Sequence, residues 1–297
     1  YGLGNVGSGL VEILNARAEE LRNARHLNVD LRHVVVRDLA RPRRVRPQCV
    51  ELTRDWRAPL QDAQVDVVVE VMGGLDTAGP VVETALRAGK HVVTANKALI
   101  AARGEELESL AQEGCAELRY EAAVGGAIPV LHALRGALVA NRITRVRGIL
   151  NGTTNYILTR MAEERMSLPE ALAKAQELGF AEADPSADVS GLDAAQKLVI
   201  LARHAFGRWI PLDAARIDGI ERLTPGDVDD ARRRGNVVKL LAEATCSDDG
   251  TVTLRVGPVE LPASDPLAQV RDEVNAVTLE GDFAGPLTFI GRGAGSR

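Results

Sequence analysis

The glycine-rich start of the chain constrains its fold more than any other feature. Residues 2–7 read GLGNVG and fit the pattern GxGxxG, with glycine at Gly2, Gly4 and Gly7. A helical pattern of apolar residues begins inside this motif and runs over residues 6–23, and a β-branched run follows at residues 31–36. Turns that bind dinucleotides need glycine for the tight turn, for close approach of the pyrophosphate and for helix–strand packing. The motif therefore predicts a nucleotide-binding turn, and the alternative is a glycine turn without a function.

Strand-like and helical patterns alternate through the first third of the chain. β-Branched runs occur at residues 31–36, 65–71, 91–94 and 116–121, and helical patterns at residues 6–23, 79–88 and 98–112. This alternation predicts an α/β fold with a Rossmann-type parallel sheet and crossover helices, over residues 1–125. The strand that should precede Gly2 is reduced to Tyr1. Either the chain is a fragment or another segment fills that place in the sheet.

The pattern changes after residue 125. Helical patterns dominate residues 127–206, and strand-like runs follow at residues 237–244, 251–259, 276–280 and 287–291. We therefore expect a second domain of α+β type at residues 126–284.

Cofactor choice in such a sheet is made at the end of its second strand, where a carboxylate binds the adenosine ribose hydroxyls or a cation binds a 2′-phosphate. That position reads Arg37-Asp38, and Arg41, Arg43 and Arg44 follow closely. Because the arginine comes first, the sequence favours NADP over NAD. The alternative is that Arg37 is only a solvated strand end.

Residues 179–197 contain four carboxylates and one lysine. Asp184 precedes a proline, which disfavours helix, so the carboxylates from Glu182 to Asp188 are expected in a loop. The next segment has a helical pattern with Asp193 and Lys197 four residues apart on one face. A surface ion pair is the alternative interpretation. In a chain that binds a nicotinamide cofactor, a lysine among carboxylates can move the proton that hydride transfer requires, and the carboxylates can hold a substrate ammonium group.

A second lysine, Lys97, lies at the carboxyl end of the run at residues 91–94. Ligands bind at the carboxyl ends of parallel strands, so Lys97 is expected to reach the cofactor. The alternative is an ordinary lysine at a helix start.

Composition excludes several classes of partner. The chain of 297 residues has 36 basic and 41 acidic residues, a net charge of −5, and 3% aromatic residues. These values argue against nucleic acids and anionic membranes and leave a small-molecule substrate. Three scattered cysteines indicate no disulfide framework, which fits a reducing cytoplasm, and the five histidines have no zinc-ligand spacing.

Five motifs together resemble the homoserine dehydrogenase family, and they spread over almost the whole chain. They are GLGNVG at residues 2–7, TANKAL at 94–99, YEAAVGG at 120–126, GILNGTTNYI at 148–157 and the acid/lysine block at 179–197. The fourth and fifth are far more specific than the glycine motif.

The resemblance implies NAD(P)-dependent interconversion of L-aspartate 4-semialdehyde and L-homoserine, on the route to threonine, methionine and isoleucine. It implies that Lys197 is the proton donor and that Lys97 lies by the nicotinamide and the reacting oxygen. It also implies that Glu182 and Asp193 hold the amino acid, and that the backbone near Gly179 touches both cofactor and substrate.

Further site residues follow from the motifs and this resemblance. The expected substrate-binding residues are Glu182, Asp193, Asp188 and Gly179. The expected cofactor-binding residues are Gly2, Gly4, Asn5, Val6, Gly7, Arg37, Gly73, Lys97, Gly179 and Gly293. The resemblance alone implies a sodium-like cation held by Glu121, Val124, Gly126 and Ile128, largely through carbonyl oxygens.

The resemblance also implies a homodimer built through the second, catalytic domain, with residues 285–297 returning to the nucleotide domain. The chain departs from the family pattern in its shortened first strand and in its end at residue 297, where the family continues into another helix and often a regulatory module. No site for feedback inhibition by threonine is therefore expected within this sequence.

Two other functions compete with this hypothesis. A phosphorylating semialdehyde dehydrogenase needs a thiolate paired with a histidine, and Cys115 and the other cysteines lack that context. A non-catalytic NAD(P)-binding sensor module would keep the glycine motif but would have no use for the acid/lysine block.

Overall fold

The computed structural model describes residues 1–48 and 50–293. These residues form two compact units, which divide between Tyr120 and Glu121. The domain boundary predicted from the change of sequence pattern, at 125/126, lies five residues later.

The first unit combines short parallel strands with helices of very different length. Its helices are α1 (Asn5–Arg25), α2 (Ala58–Gln61), α3 (Ala78–Arg87) and α4 (Lys97–Glu113), and its strands are β1 (Val34–Val35), β2 (Leu52–Thr53), β3 (Val67–Glu70), β4 (His91–Thr94) and β5 (Leu118–Arg119). The longer helices match the predicted segments to within two residues at each end. The strand predicted at residues 31–36 is reduced to two paired residues, because pairing with β2 covers only Val34 and Val35.

The strands β1 and β2 form a parallel pair, and β4 pairs in parallel with β3 on one side and with β5 on the other. The start of the chain connects these two groups. The amide of Gly2 donates to the carbonyl of Val35 (3.0 Å), and the amide of Val71 donates to the carbonyl of Tyr1 (2.9 Å). The parallel sheet is thus confirmed, and among the described residues Tyr1 and Gly2, not another segment, occupy the place of its first strand.

The core of the first unit lies between this sheet and the apolar faces of α3 and α4. Val68 and Val92 on the strands, Val82 and Leu86 on α3 and Leu99 on α4 are almost completely buried. Burial of each such side chain stabilises the fold by about 1.5–3 kcal/mol. The packed core holds the carboxyl ends of β3 and β4 in fixed positions.

The second unit is an α+β arrangement around one large sheet. Its helices are α5 (Val130–Arg135), α6 (Gly152–Glu164), α7 (Leu168–Glu177), α8 (Ser186–Val189), α9 (Leu192–Phe206) and α10 (Pro225–Arg233), and its strands are β6 (Ile143–Ile149), β7 (Arg216–Ile217), β8 (Asn236–Cys246), β9 (Val252–Pro262), β10 (Val274–Gly281) and β11 (Gly285–Arg292). The strand order is β11-β10-β6-β8-β9-β7, antiparallel except for the parallel pair β7 and β9. The α6 and α9 helices pack on this sheet through faces that include Ile157, Leu198 and Leu201.

The strand β6 lies inside the segment predicted to be mainly helical. It pairs with β10 on one side and with β8 on the other, more than ninety residues away in the sequence. Arg145 and Arg147 on one face are neutralised by Glu243 and Asp265 from other elements. These partners are distant in the sequence, so the pairing of this strand cannot be predicted from its local residues.

The predicted return of residues 285–297 to the nucleotide domain is wrong for the residues that the structure describes. The β11 strand pairs with β10 along its whole length, from Gly285 opposite Gly281 to Arg292 opposite Val274. Gly293 follows directly and packs against the side chain of Asn275. Turn residues followed by apolar residues after Glu280 are typical of a hairpin, and β11 forms this hairpin with β10. Residues 294–297 lie outside the described residues.

Among the helices of residues 1–48 and 50–293, none is both long enough and apolar enough to cross a bilayer.

Candidate active site

The glycine turn at the start of the chain has the geometry of a phosphate-binding turn. Gly2 has φ +95°, and a Cβ atom there would lie 2.7 Å from the carbonyl oxygen of Val71. A Cβ on Gly7 would overlap the carbonyl oxygen of Gly2, so this glycine lets α1 pack against the chain start. A Cβ on Gly4 would meet no atom within 4 Å. The first and third glycines are thus required by the fold, and the second leaves open space beside bare backbone.

The N-terminus of α1 completes this turn. Gly4 is its N-cap residue, no side chain caps the helix, and the first turn contains no acidic residue. Asn5 and Val6 are exposed in this first turn, where main-chain N–H groups lack partners within a helix. These N–H groups and the positive end of the helix dipole suit a pyrophosphate. The arrangement fits a dinucleotide, with Gly2, Gly4, Asn5, Val6 and Gly7 as its cradle.

Arginine side chains gather at the carboxyl end of β1, where the adenosine ribose of a dinucleotide is recognised. Arg37 is exposed, and the Nε of Arg54 donates to the Arg37 carbonyl (3.0 Å). Asp38 closes a local turn by accepting from the amide of Ala40 (2.9 Å), and the guanidinium of Arg43 bonds to the Asp38 carbonyl. The Asp38 carboxylate is therefore engaged locally, and two arginines are available to an anionic group. Arg37 was predicted from the sequence, whereas Arg54, which directly follows β2, lies in no local motif and was not.

The carboxyl ends of β3 and β4 carry a hydrogen-bonded polar network that the sequence analysis also missed. Glu70 is fully buried and accepts from the amides of Met72 (2.7 Å) and Gly73 (3.1 Å) and from the Thr94 hydroxyl (2.6 Å). The predicted Gly73 lies in this loop with φ +76°. This loop therefore occupies the sheet edge at which ligands bind in parallel α/β folds.

Asn96 continues this network into α4. It is the N-cap residue of α4, and its side-chain oxygen accepts from the amide of Leu99 (3.2 Å). Lys97, the second predicted lysine, is the first residue of that helix and is partly buried. Its main chain is thus held at the carboxyl end of β4, as the sequence predicted.

Lys197 and Asp193 form the centre of a cluster in the second unit. The Lys197 Nζ donates to the Asp193 carboxylate (2.6 Å) and to the carbonyl of Leu150 (2.7 Å), one residue beyond β6. The side chains of Lys197 and Asp193 are only 12% and 9% exposed. The alternative interpretation, a surface ion pair, is therefore wrong: α9 places this amine in a largely desolvated position.

Asn151 joins this cluster to the start of α6. Its Nδ2 donates to Asp188 (2.6 Å) and to Asp193 (2.9 Å), and its Oδ1 accepts from the amide of Thr154 (2.8 Å) as the N-cap. One amide therefore holds two carboxylates together and orders the first turn of a helix. This role of Asn151 was not predicted, although an asparagine directly before a helical segment is a capping signal from which it could be.

Asp188 differs from the exposed carboxylates of the preceding loop. Burial raises its pKa above the ordinary value, and so does the nearby Asp193 charge, whereas the hydrogen bond from Asn151 lowers it. A carboxylate with a raised pKa beside a lysine and a second carboxylate is typical of functional sites. Burial is the largest cause of the raised pKa of Asp188. Since burial also reduces screening by water, a cationic group that enters the cluster would interact favourably with its carboxylates.

The loop before α8 places the other predicted residues at the surface. Gly179 and Glu182 are exposed, and Gly179 has φ +76°. The Thr153 hydroxyl donates to the carbonyl of Phe180 (2.7 Å), which ties this loop to the first turn of α6. Within the described residues, no hydrogen bond brings the Glu182 carboxylate into the cluster of Lys197. The predicted grouping of Glu182 with that cluster is therefore a matter of chain proximity in this structure, not of contact.

The segment after Tyr120 contains the residues for which the family resemblance implies a cation. Glu121 begins a short 3₁₀ turn, and its carboxylate accepts from the amide of Leu131 (2.9 Å). The described residues contain no cluster of His, Cys, Asp or Glu side chains that could hold a metal ion. A cation here would therefore bind mainly carbonyl oxygens, such as those of Val124, Gly126 and Ile128. That donor set fits a sodium-like ion and does not fit zinc.

Comparison with known proteins agrees with both units. A family model described as "Homoserine dehydrogenase" matches residues 129–297, and one described as "Homoserine dehydrogenase, NAD binding domain" matches residues 2–121. The homoserine dehydrogenase of Bacillus subtilis is 42% identical over 295 residues, which are 99% of this chain and 68% of that protein.

Two solved structures extend this comparison. A homoserine dehydrogenase from Thiobacillus denitrificans matches with a TM-score of 0.92 at 40% identity, over 99% of this chain and 68% of that chain. A hyperthermophilic archaeal homoserine dehydrogenase in complex with NADPH matches with a TM-score of 0.70 at 30% identity, over 82% of this chain and 70% of that chain. With both units matched and the identity sustained along the sequence, the chain belongs to the homoserine dehydrogenase family.

Proposed function

We propose that this chain catalyses the NAD(P)-dependent interconversion of L-homoserine and L-aspartate 4-semialdehyde. The observation that carries the proposal is the desolvated pair of Lys197 and Asp193, held against the start of α6 by Asn151 and Leu150. A binding module would need the glycine turn but no buried amine among carboxylates. Family membership supports the same reaction.

The side chains of the second unit account for the proton and for substrate charge. The nicotinamide cofactor supplies or accepts the hydride when it is bound. Lys197 donates a proton to the aldehyde oxygen in one direction and accepts it from the hydroxyl in the other. Two of the three N–H bonds of its ammonium point to Leu150 and Asp193, and the third is proposed to bind the substrate oxygen.

Substrate recognition follows from the charge of the amino acid. Asp188 and Asp193 are the proposed partners of its ammonium group, with Glu182 from the exposed loop as a third carboxylate and the Gly179 backbone beside them. Lys97 is proposed to stabilise negative charge on the reacting oxygen, as the family resemblance implies.

An assay of homoserine oxidation tests this function directly. We expect formation of reduced cofactor, followed by its absorbance, when the protein is mixed with L-homoserine and NADP⁺ or NAD⁺. L-2-Aminobutyrate, which lacks the hydroxyl, is the matched control and should give no signal. Binding of NADPH without any homoserine oxidation would support the sensor module instead.

NADP is the proposed preferred cofactor, supported by Arg37 and Arg54 at the end of β1. Replacing both with serine should raise the Kd for NADPH roughly tenfold or more, because charge-assisted hydrogen bonds to the 2′-phosphate are lost. The Kd for NADH should stay within about twofold, because it lacks that phosphate. Fluorescence titration of both nucleotides measures this, with Arg87→Ser on α3 as the control. Equal weakening of both nucleotides would contradict the assignment.

Three further proposals rest on the family resemblance. A sodium-like cation binds the oxygen atoms of Glu121, Val124, Gly126 and Ile128, whose donor set fits it. Gly73 and Gly293 complete the cofactor contacts. The protein works as a cytoplasmic homodimer assembled through its second unit.

A further inference from the structure

We propose that Glu70 is a positioning residue for the cofactor: its buried carboxylate, acting through Thr94 and Asn96, fixes the loop that follows β3 and the start of α4, and thereby sets dinucleotide affinity. The inference rests on the proposed binding of a nicotinamide dinucleotide by the first unit. It concerns side chains that lie beneath the ligand-binding edge of the sheet.

The Glu70 carboxylate lies in the interior of the first unit, at the end of a strand. Glu70 is the last residue of β3 and is fully buried. One carboxylate oxygen accepts from the amides of Met72 (2.7 Å) and Gly73 (3.1 Å), and the other accepts from the Thr94 hydroxyl (2.6 Å). A buried carboxylate is costly unless such donors surround it. The geometry of these donors is therefore tied to one fixed acceptor.

The hydrogen bonds of Glu70 continue into the neighbouring strand and helix. The Thr94 hydroxyl oxygen also accepts from the amide of Asn96 (2.9 Å), so it relays the position of Glu70 to the residue before Lys97. The Asn96 Nδ2 returns to the loop by donating to the carbonyl of Gly74 (2.6 Å). A closed ring of hydrogen bonds thus joins the loop after β3 to the N-cap of α4.

This ring of hydrogen bonds lies next to the glycine turn. A Cβ on Gly2 would lie 2.7 Å from the Val71 oxygen and 3.1 Å from the Met72 nitrogen, so the loop packs directly on the turn. Gly73 and Gly74 have φ +76° and +77°, and a Cβ on either would meet no atom within 4 Å. The ring therefore holds a stretch of backbone with open space beside the turn, where close approach of a ligand is possible.

The hydrogen bonds of this ring all hold segments at the edge of the sheet where ligands bind. The Glu70 and Asn96 side chains bond to the segments 72–74 and 94–99, which follow the carboxyl ends of β3 and β4. A carboxylate devoted only to stability would be an expensive choice, because well-packed apolar groups stabilise a core as well or better. Fixing backbone geometry for a ligand explains why a charge is placed here.

The experiment compares Thr94→Val, which keeps the shape of the side chain but removes the hydroxyl, with Thr94→Ser, which restores the hydroxyl. Fluorescence titration with NADPH and with NADH is the binding readout, and steady-state assays give the KM for homoserine. We expect Thr94→Val to raise the Kd for both nucleotides about tenfold and Thr94→Ser to bind within about twofold of wild type. The KM for homoserine at saturating cofactor should change by less than about twofold.

Control variants separate positioning from general stability. Thr84→Val removes a hydroxyl that bonds to the carbonyl of Pro80 within its own helix, so it should bind both nucleotides like wild type. Glu70→Gln keeps an acceptor for Met72 and Gly73 but offers an amide to Thr94, and it should weaken binding in the same direction as Thr94→Val. Partial unfolding would lower the active fraction without changing the Kd of the folded remainder.

Several results would overturn the inference. Thr94→Val could bind both nucleotides like wild type, Thr94→Ser could fail to restore affinity, or the KM for homoserine could rise as much as the Kd. Failure of the wild-type protein to bind NADPH or NADH is a different result, because it would reject the proposed function itself.

Discussion

Replacing Lys197 with alanine is expected to lower kcat for homoserine oxidation by about a hundredfold to ten-thousandfold, the usual contribution of a positioned acid or base. The amine is largely desolvated, bonds to Asp193 and Leu150, and is the proposed proton carrier. The cofactor is bound by other residues, so the Kd for NADPH should be unchanged. Pre-steady-state and steady-state assays with saturating NADP⁺ measure the loss.

Two companion variants show whether the proton or only the charge matters. Lys197→Arg keeps a cation beside Asp193, but a guanidinium does not release its proton, so a similar loss of kcat is expected. Lys174→Ala removes an exposed lysine that pairs with Glu164 and should keep wild-type kcat. Asn151 still donates to Asp193 without Lys197, so the variant should remain folded. Wild-type turnover by Lys197→Ala would remove this lysine from the mechanism.

Replacing Gly4 with alanine is expected to abolish most cofactor affinity while leaving the fold intact. A methyl group there meets no atom of the protein within 4 Å, and the Gly4 φ of −87° suits alanine. It would, however, occupy the space through which a pyrophosphate approaches the N-terminus of α1. We expect the Kd for both NADPH and NADH to rise between about tenfold and a hundredfold, as lost charge-assisted hydrogen bonds would cause.

Two other glycines serve as controls for this prediction. Gly9→Ala also meets no atom within 4 Å but lies inside α1, so it should keep affinity and stabilise the helix by up to about 1 kcal/mol. Gly7→Ala would drive a methyl group into the Gly2 carbonyl and should lower both affinity and thermal stability. Unchanged nucleotide binding by Gly4→Ala would argue against phosphate binding at this turn.

The sequence predicted those features that depend on local pattern. The glycine turn, the parallel sheet and the pairing of Asp193 with Lys197 follow from residue type and spacing, and the structure has all three. Four-residue spacing puts two side chains on one helix face wherever the helix lies. It does not reveal burial, which here depends on the packing of α9 against the sheet.

Features that depend on distant partners could not be predicted in this way. The strand β6 is stabilised by β8 and β10 on its two sides, and Arg54 bonds to Arg37 from the segment that follows β2. Glu70 lies inside the predicted strand at residues 65–71, and no local pattern indicates that its carboxylate organises two loops. Conversely, Glu182 is near Asp188 in the sequence but projects into solvent, because the turn before α8 separates them.

Asn151 has two structural roles, and these limit the substitutions that can be used to redesign this enzyme. The same amide starts a helix and bridges the two buried carboxylates, so any substitution there alters architecture and charge at once. The exposed loop around Gly179 and Glu182 has no such double role, since the hydrogen bonds described for residues 179–182 all use their backbone atoms. An effort to shift the range of accepted amino acids should therefore randomise that loop and leave the helix cap untouched.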